Sequence, residues 1–255
     1  MIHYNLLGIN KMENQEKVLI IFDMDHTILD LNTDVELLKI LNKKCPQKIK
    51  AIEFADNWAL YMNDVMILMK NEGFAISEIK SFIESLELNI GFKDLFDFIK
   101  ENKNKFEVII FSGCNTIFVE WVIQYRKLDN LIYKYYSNIA ESSTKGVIAI
   151  KSTHNHDCAD CDKSQCKQIL LRDYLIERKK ENISFKNMVF VGDGSNDFCL
   201  TKILTNNDLV CYRIGYALEK QIKKWLDLNK KEEYLCRVLP WNTGFEIIER
   251  LRVLV

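Results

Sequence analysis

The sequence predicts an α/β fold, a parallel sheet with helical crossovers and a helical insertion after its first strand. Three observations carry this. Continuous apolar runs at Val18–Phe22, Phe106–Phe111 and Met188–Val191 read as strands covered on both faces, and Leu209–Tyr212 is a weaker fourth. Helical patterns over Thr116–Arg126, Cys166–Lys180, Asp197–Leu204 and Tyr216–Leu228 fall between or after them, the rhythm of right-handed crossovers. Leu31–Lys103, between the first two strands, has helical periodicity and almost no strand character, and is far longer than a simple crossover needs.

The first strand ends in an unusual way. "VLIIFDMDHTILD" runs five apolar residues into Asp23 and Asp25. In an extended chain, residues two apart point to one side, roughly 6–7 Å apart. Both carboxylates are therefore expected on one side at the carboxyl end of a buried strand, where open α/β sheets bind ligands. Two anions in a partly dry cleft repel, so one takes a proton or a cation joins them. Phosphomonoester hydrolysis gives the pair a use. One carboxylate attacks phosphorus and the other, held protonated, donates to the leaving alkoxide. Magnesium would offset charge on the transferring group.

The insertion comes next. "FADNWALYMNDVMILMKNEG" places apolar residues at three- and four-residue spacing and stops at Gly73, a helix cap, as expected of a lid over the sheet edge. After the second strand, "IIFSG" puts Ser112 where its hydroxyl and nearby amides can hold phosphoryl oxygens. "NLIYKYYSN" reads as strand core and turn rather than a base-stacking surface, given the balanced charge. Lys167 opens "CKQILLRDYL" and can supply positive charge to a phosphate. "VFVGDGSND" follows the third strand, with Asp193 and Asp197 adding two carboxylates to the same rim. The spaced ligands and closing glutamate of an EF-hand are absent.

"THNHDCADCDKSQCK" gathers His154, His156, Cys158, Cys161 and Cys166 in one stretch. The spacing fits a structural zinc site, a Cys158–Cys161 redox pair, or thiols that pack and brace the loop presenting Lys167.

Composition narrows the class. Thirty-five basic against 36 acidic residues leave a net charge of −1, which gives no electrostatic case for nucleic acid or an anionic membrane. Paired lysines such as Lys179, Lys180 and Lys230, Lys231 read as solvated helix faces. No apolar stretch approaches bilayer length, and the start "MIHYNLLGINKMENQEK" lacks signal-peptide features. The eight cysteines are then expected as reduced thiols in a cytoplasmic protein, monomeric or homodimeric.

Together, "FDMDHTILD", "NTIFVEW", "HDCADCDKSQCK", "VGDGSNDFC", "RIGYAL" and "LPWNTG" resemble the haloacid-dehalogenase superfamily, and within it the phosphoethanolamine/phosphocholine and pyridoxal-phosphate phosphatase family, from Val18 to about Ile248. The resemblance implies a Rossmann-like parallel core (1–31 and 104–255) with an inserted helical cap (32–103). It implies Asp23 as nucleophile and Asp25 as general acid/base. One magnesium would be held by the Asp23 carboxylate, the Asp25 backbone carbonyl and Asp193, with Asp197 supporting its water shell. Ser112 and Lys167 would grip the phosphoryl group, and Asp34, Thr27 and Asn115 would bind substrate. The implied substrate is a small phosphorylated metabolite, pyridoxal 5'-phosphate or phosphoethanolamine/phosphocholine. The alternatives are pyrophosphate, thiamine monophosphate, or a turnover-dead sensor of phosphoryl compounds.

Two positions depart from the family pattern. Ser112-Gly113-Cys114-Asn115 stands where the family reads S-D-x-N, so Gly113 removes a counter-charge for an amine-bearing substrate. His26 replaces a common acidic residue and is expected to point away from the phosphate.

Overall fold

Alternation along the central strand organises the molecule. In this computed structural model, which describes residues 17–143, 146–227 and 236–254, β1 (Lys17–Phe22) sends Val18, Ile20 and Phe22 into one hydrophobic cluster. It sends Leu19 and Ile21 into another on the opposite face. A strand buried on both faces is what its unbroken apolar run requires. The paired lysines Lys230 and Lys231, Leu228 and the segment 1–16 lie outside the described residues.

Downstream come α1 (Thr33–Lys44), α2 (Pro46–Lys50), α3 (Trp58–Asn71), α4 (Ile76–Ser85) and α5 (Phe92–Glu101). Next are β2 (Phe106–Asn115), α6 (Thr116–Tyr125), β3 (Ile132–Ser142), β4 (Ile148–Lys151) and α7 (Lys167–Lys180). The chain continues through β5 (Phe185–Gly192), α8 (Phe198–Thr201), β6 (Leu209–Arg213), α9 (Ala217–Asp227), β7 (Arg237–Trp241) and α10 (Gly244–Arg252). The strands form one seven-stranded sheet in the order β4-β3-β2-β1-β5-β6-β7. All pairings are parallel except β3–β4, which is antiparallel. The expected Rossmann-like α/β core is present.

Helix starts follow their side chains. Asn32, Asn57 and Asn115 each accept a hydrogen bond from the amide three residues on, at 2.9, 3.1 and 3.1 Å, and so cap α1, α3 and α6. The first core cluster joins the sheet face to α1, α3 and α4 through residues such as Leu37, Leu41, Met62, Met66 and Ile83. The helix α5 packs on the sheet itself. Phe92 and Phe96 meet Phe22 with ring centroids 6.0 and 5.7 Å apart, and Phe92 meets Trp241 at 5.5 Å. The "LPWNTG" motif is explained here. A Cβ on Gly244 would lie 2.5 Å from the Gly91 carbonyl oxygen, so only glycine lets α10 start against the α5 entrance.

Two local expectations change. The strand ends at Phe22, one residue before Asp23, and Met24–Ile28 forms a wide turn closed by Leu29 N–H to the Met24 carbonyl at 2.9 Å. The expected helix over Asp197–Leu204 is only a tight turn, Ser195–Asp197, followed by α8; Thr201 Oγ1 donates to the Phe198 carbonyl as that helix ends. The short antiparallel β4 and the β7–α10 ending carried no sequence signal strong enough to be placed in advance.

Below the second cluster lies a buried ionic group. Arg178 donates to both Glu107 oxygens at 2.9 and 2.5 Å, and Tyr174 OH donates to the same carboxylate at 2.5 Å. Removing one member leaves the other charge buried and unpaired. Arg178→Ala should therefore destabilise the fold by about 3–5 kcal/mol, read by denaturant unfolding. A loss no larger than that of an exposed pair such as Lys93–Asp97 would show that the group is not holding α7 to β2.

Candidate active site

The pocket opens at the carboxyl ends of β1 and β5 and has a volume of about 250 Å³. Asp23, Asp25 and His26 line it from the β1 turn, Gly113 from β2, and Asp193, Gly194, Ser195 and Asn196 from the β5 turn. Asn32, Asp34, Val35 and Trp58 close it from the helical insertion, and Asp162 from the loop before α7.

Beneath this floor Lys167, 1% exposed, donates to Asp23 Oδ1 and, at 2.6 Å, to Asp197 Oδ1. Asp197 Oδ2 accepts from the amides of Asp193 (3.0 Å) and Gly194 (2.8 Å), which fixes the β5 turn. A Cβ on Gly192 would lie 2.5 Å from that oxygen, so the first glycine of "GDG" makes room for Asp197 to fold back. Thr27 Oγ1 reaches Asp193 Oδ1 at 3.3 Å across the two turns.

Asp23 and Asp25 share the pocket, but strand alternation is not the cause. Asp25 sits in the wide turn, where His26 adopts φ +56°. Asn89 holds that turn by donating to the carbonyls of Thr27 (2.7 Å), Leu29 (3.2 Å) and His26 (3.3 Å). Asp25 accepts from Thr33 N–H at 2.8 Å and from its hydroxyl at 3.2 Å. Asp34 Oδ2 accepts from Trp58 Nε1 at 2.7 Å, while its buried Oδ1 has no hydrogen-bond partner among the described residues.

Several expected residues lie elsewhere. Ser112 is fully buried behind the pocket wall, its hydroxyl within 3.2 Å of Cys114 Sγ, and Gly113 is the residue of that segment on the wall. Asn115 caps α6 instead of facing the pocket. His26, expected to turn away, borders the pocket with its ring 5.2 Å from Tyr216 and Nδ1 donating to the Asp30 carbonyl. Thr33, Asn89, Trp58, Asp162 and Asn196 were missed. Only "LNTD" carried a signal that could have found one of them, because a helix N-terminus there aims the Thr33 amide at Asp25.

Burial dominates the electrostatics. It raises Asp23 to about 7, with Lys167 opposing and Asp197 and Asp25 reinforcing the rise. Burial and then Asp34 raise Asp25 to about 7 against its Thr33 bonds. Burial takes Asp34 to about 7 against its Trp58 bond, and burial with Asp23 and Asp197 takes Asp193 to about 9 against Lys167. Burial would lower Lys167, but Asp197 and Asp23 outweigh it and hold its pKa above the ordinary value. Oxygens of Asp23, Asp193 and Asp197 lie within 4.8 Å of one another. Crowded carboxylates facing a single ammonium are a hard-oxygen donor set suited to a divalent cation such as magnesium.

Comparisons with known proteins place the chain in a family. The family model described as Putative Phosphatase matches residues 18–255. The chain belongs to this family. Human pyridoxal phosphate phosphatase PHOSPHO2 is 31% identical over 240 residues, 94% of this chain and 99% of its own length. Human phosphoethanolamine/phosphocholine phosphatase is 29% identical over 232 residues, 91% and 86% respectively. A phosphoserine phosphatase captured as a phospho-aspartyl intermediate analogue shares the fold, with a TM-score of 0.59 at 18% identity over 92% of this chain and 99% of its own. The haloacid-dehalogenase fold and membership in this phosphatase family stand, and the chain is a phosphatase.

The buried carboxylates give a pH signature. The native Asp34 holds its proton to about 7, whereas an unfolded aspartate, with an ordinary value of 3.8, releases it earlier. The native state thus binds more protons between these values, and stability falls as pH rises through that window. Asp34→Asn removes the fall. The stability of the variant relative to the parent, measured by thermal unfolding without divalent cations, should rise from pH 4 to pH 7 by roughly a few kcal/mol. A pH-independent difference would refute it.

Proposed function

We propose that the protein hydrolyses a small phosphomonoester through an aspartyl-phosphate on Asp23, with magnesium as cofactor. The observation that supports this most is the convergence of Asp23, Asp25 and Asp193 on one pocket from two separate turns, with Lys167 at the start of α7 and Asp197 joined beneath them. Asp23, Asp193 and the Asp25 backbone carbonyl would hold the magnesium, with Asp197 behind them. When bound, it supplies positive charge that offsets the phosphoryl oxygens and the crowded carboxylates.

The residues divide the chemistry. An Asp23 oxygen attacks phosphorus as the phosphorus–ester oxygen bond breaks. Lys167, already bonded to Asp23, favours its ionised form against burial and orients it. Asp25, raised to about 7, gives its proton to the departing alkoxide. The Asp25 carboxylate then takes a proton from the water that attacks the acyl phosphate, returning Asp23 to a free carboxylate and releasing inorganic phosphate. Thr33 holds Asp25 toward the pocket throughout.

Residues 32–103 act as the cap over the core formed by the described residues of 1–31 and 104–255. Asn32, Asp34, Val35 and Trp58 form its pocket face, while α5 anchors the segment on the sheet. They select the non-phosphate end of the substrate. Trp58 offers an aromatic surface and Asp34 an unpartnered buried oxygen, which suit a flat protonated ring. Pyridoxal 5'-phosphate is the favoured substrate, because Gly113 leaves the wall without the carboxylate that an ethanolamine or choline headgroup would use. The clustered thiols suit a reducing compartment, and we place the protein in the cytoplasm. Among the described residues no helix is long and apolar enough to cross a membrane.

Asp23→Asn should reduce turnover of p-nitrophenyl phosphate by at least about 10³-fold while leaving the melting temperature near that of the parent; substantial residual turnover would remove Asp23 as nucleophile. Asp25→Ala should slow hydrolysis of an alkyl phosphate by about 10²–10⁴-fold and of p-nitrophenyl phosphate much less, since only the poor leaving group needs a proton. Equal losses would overturn its role as acid.

The wall position tests specificity. A Cβ at Gly113 meets only Asn196 Nδ2, at 3.2 Å, so an aspartate fits with a small shift of that side chain. Gly113→Asp should raise kcat/KM for phosphoethanolamine relative to pyridoxal 5'-phosphate by about tenfold. An unchanged ratio would separate Gly113 from headgroup selection.

A further inference from the structure

The cysteine-rich stretch folds into an arrangement its sequence did not show. Cys158, Cys161, Cys166 and Cys199 bring their sulfurs within 4.8 Å of one another. Cys199 comes from α8, 33 positions beyond Cys166, and the two sulfurs are 3.9 Å apart. The Cys161 and Cys199 sulfurs are 3.2 Å apart, well beyond a covalent bond. The histidines stand outside the cluster. His154 Nε2 accepts from the Cys166 amide and His156 Nδ1 from the Cys158 amide, each at 3.3 Å, so both rings brace the backbone that carries the thiols.

We propose that these four cysteines bind one structural zinc ion as a tetrahedral tetrathiolate. Four bonds of about 2.3 Å at tetrahedral angles separate sulfurs by about 3.8 Å, which small adjustments of this cluster reach. Four thiols gain little from one another, because S–H is a weak donor and sulfur a weak acceptor. Zinc converts the same contacts into four bonds, with release of the thiol protons. The resulting net −2 charge falls at the start of α7, where Cys166 is the capping residue and the amides of Gln168 and Ile169 face the Cys199 and Cys166 sulfurs.

The position explains what the ion is for. Cys166 immediately precedes Lys167, and Cys199 lies two residues after Asp197. Zinc therefore ties the helix that delivers Lys167 to the turn that delivers Asp193 and Asp197. It also gives the loop before α7 a fixed end, so Asp162 can reach the pocket and accept from the Trp58 amide at 3.5 Å. The ion does not touch substrate, and its presence does not depend on the phosphatase reading.

The test is metal content of the whole protein, purified with reductant and dialysed into magnesium buffer. Plasma mass spectrometry should find about one zinc per chain. Cys161→Ser and Cys199→Ser should lose zinc to background, whereas Asp193→Asn should keep it. Cobalt loaded into the parent protein should show thiolate-to-metal charge-transfer absorption, a readout that holds even where a serine variant fails to fold. Zinc-free protein that takes up neither zinc nor cobalt would overturn the site, as would iron in place of zinc, or zinc lost on Asp193→Asn and kept in both cysteine variants.

Discussion

One buried ammonium holds the mouth of this sheet together. Lys167 reaches from the start of α7 to Asp23 at the end of β1 and to Asp197 beyond β5, and all three side chains are nearly inaccessible. A lone ion pair at such depth is a weak source of stability, since desolvation offsets much of the attraction. Here it serves geometry. With Lys167 removed, three carboxylates would face one another in a dry site, and the turns carrying them would have to part or take up protons. The raised pKa values of Asp23 and Asp193 show how close the site stands to that limit even with the lysine in place.

The topology explains why these residues meet. From β1 the chain builds outward through β2, β3 and β4 on one side, and through β5, β6 and β7 on the other. The crevice at the carboxyl end of β1 is thus flanked by turns that diverge, the place where open α/β sheets bind ligands. Asp23 enters from the centre, Gly113 from one flank and Asp193 from the other. The tail contributes indirectly. Leu218 N–H donates to the Asp193 carbonyl at 2.8 Å, and Arg213 donates to the His26 carbonyl at 2.7 Å, so "RIGYAL" fastens both turns from behind.

Much of this was legible because each acidic motif follows an apolar run. A strand of five buried residues must end at the sheet edge, and whatever comes next is at the rim. That reasoning put Asp23 and Asp193 where the structure has them, on the pocket lining, whereas Asp197 lies fully buried beneath it. It failed where position depends on a distant partner. Asp25 was assigned to strand alternation, yet its place is set by Asn89, more than 60 residues away, gripping three carbonyls of a wide turn. Ser112 and Asn115 looked like rim residues but are satisfied internally, one against Cys114 and one as a helix cap. Cys199 hid inside "GDGSNDFC", where the neighbouring aspartates drew the whole reading.

The two metal sites proposed above would stand close together, and ligand chemistry distinguishes them. The pocket offers carboxylate and carbonyl oxygens, hard donors that suit magnesium and compete poorly for zinc against thiolates. The cysteine cluster offers only sulfur, for which magnesium has little affinity. Cys166 and Lys167 are adjacent in sequence but face opposite ways across the start of α7, so one helix end serves both sites. Its first-turn amides face the cysteine sulfurs on one side, while the lysine projects to the carboxylate oxygens of Asp23 and Asp197 on the other. Under these two proposals the soft site would stay filled while the hard one exchanges its cation, and the tie between α7 and the β5 turn would support the Lys167 bridge that holds Asp23 and Asp197.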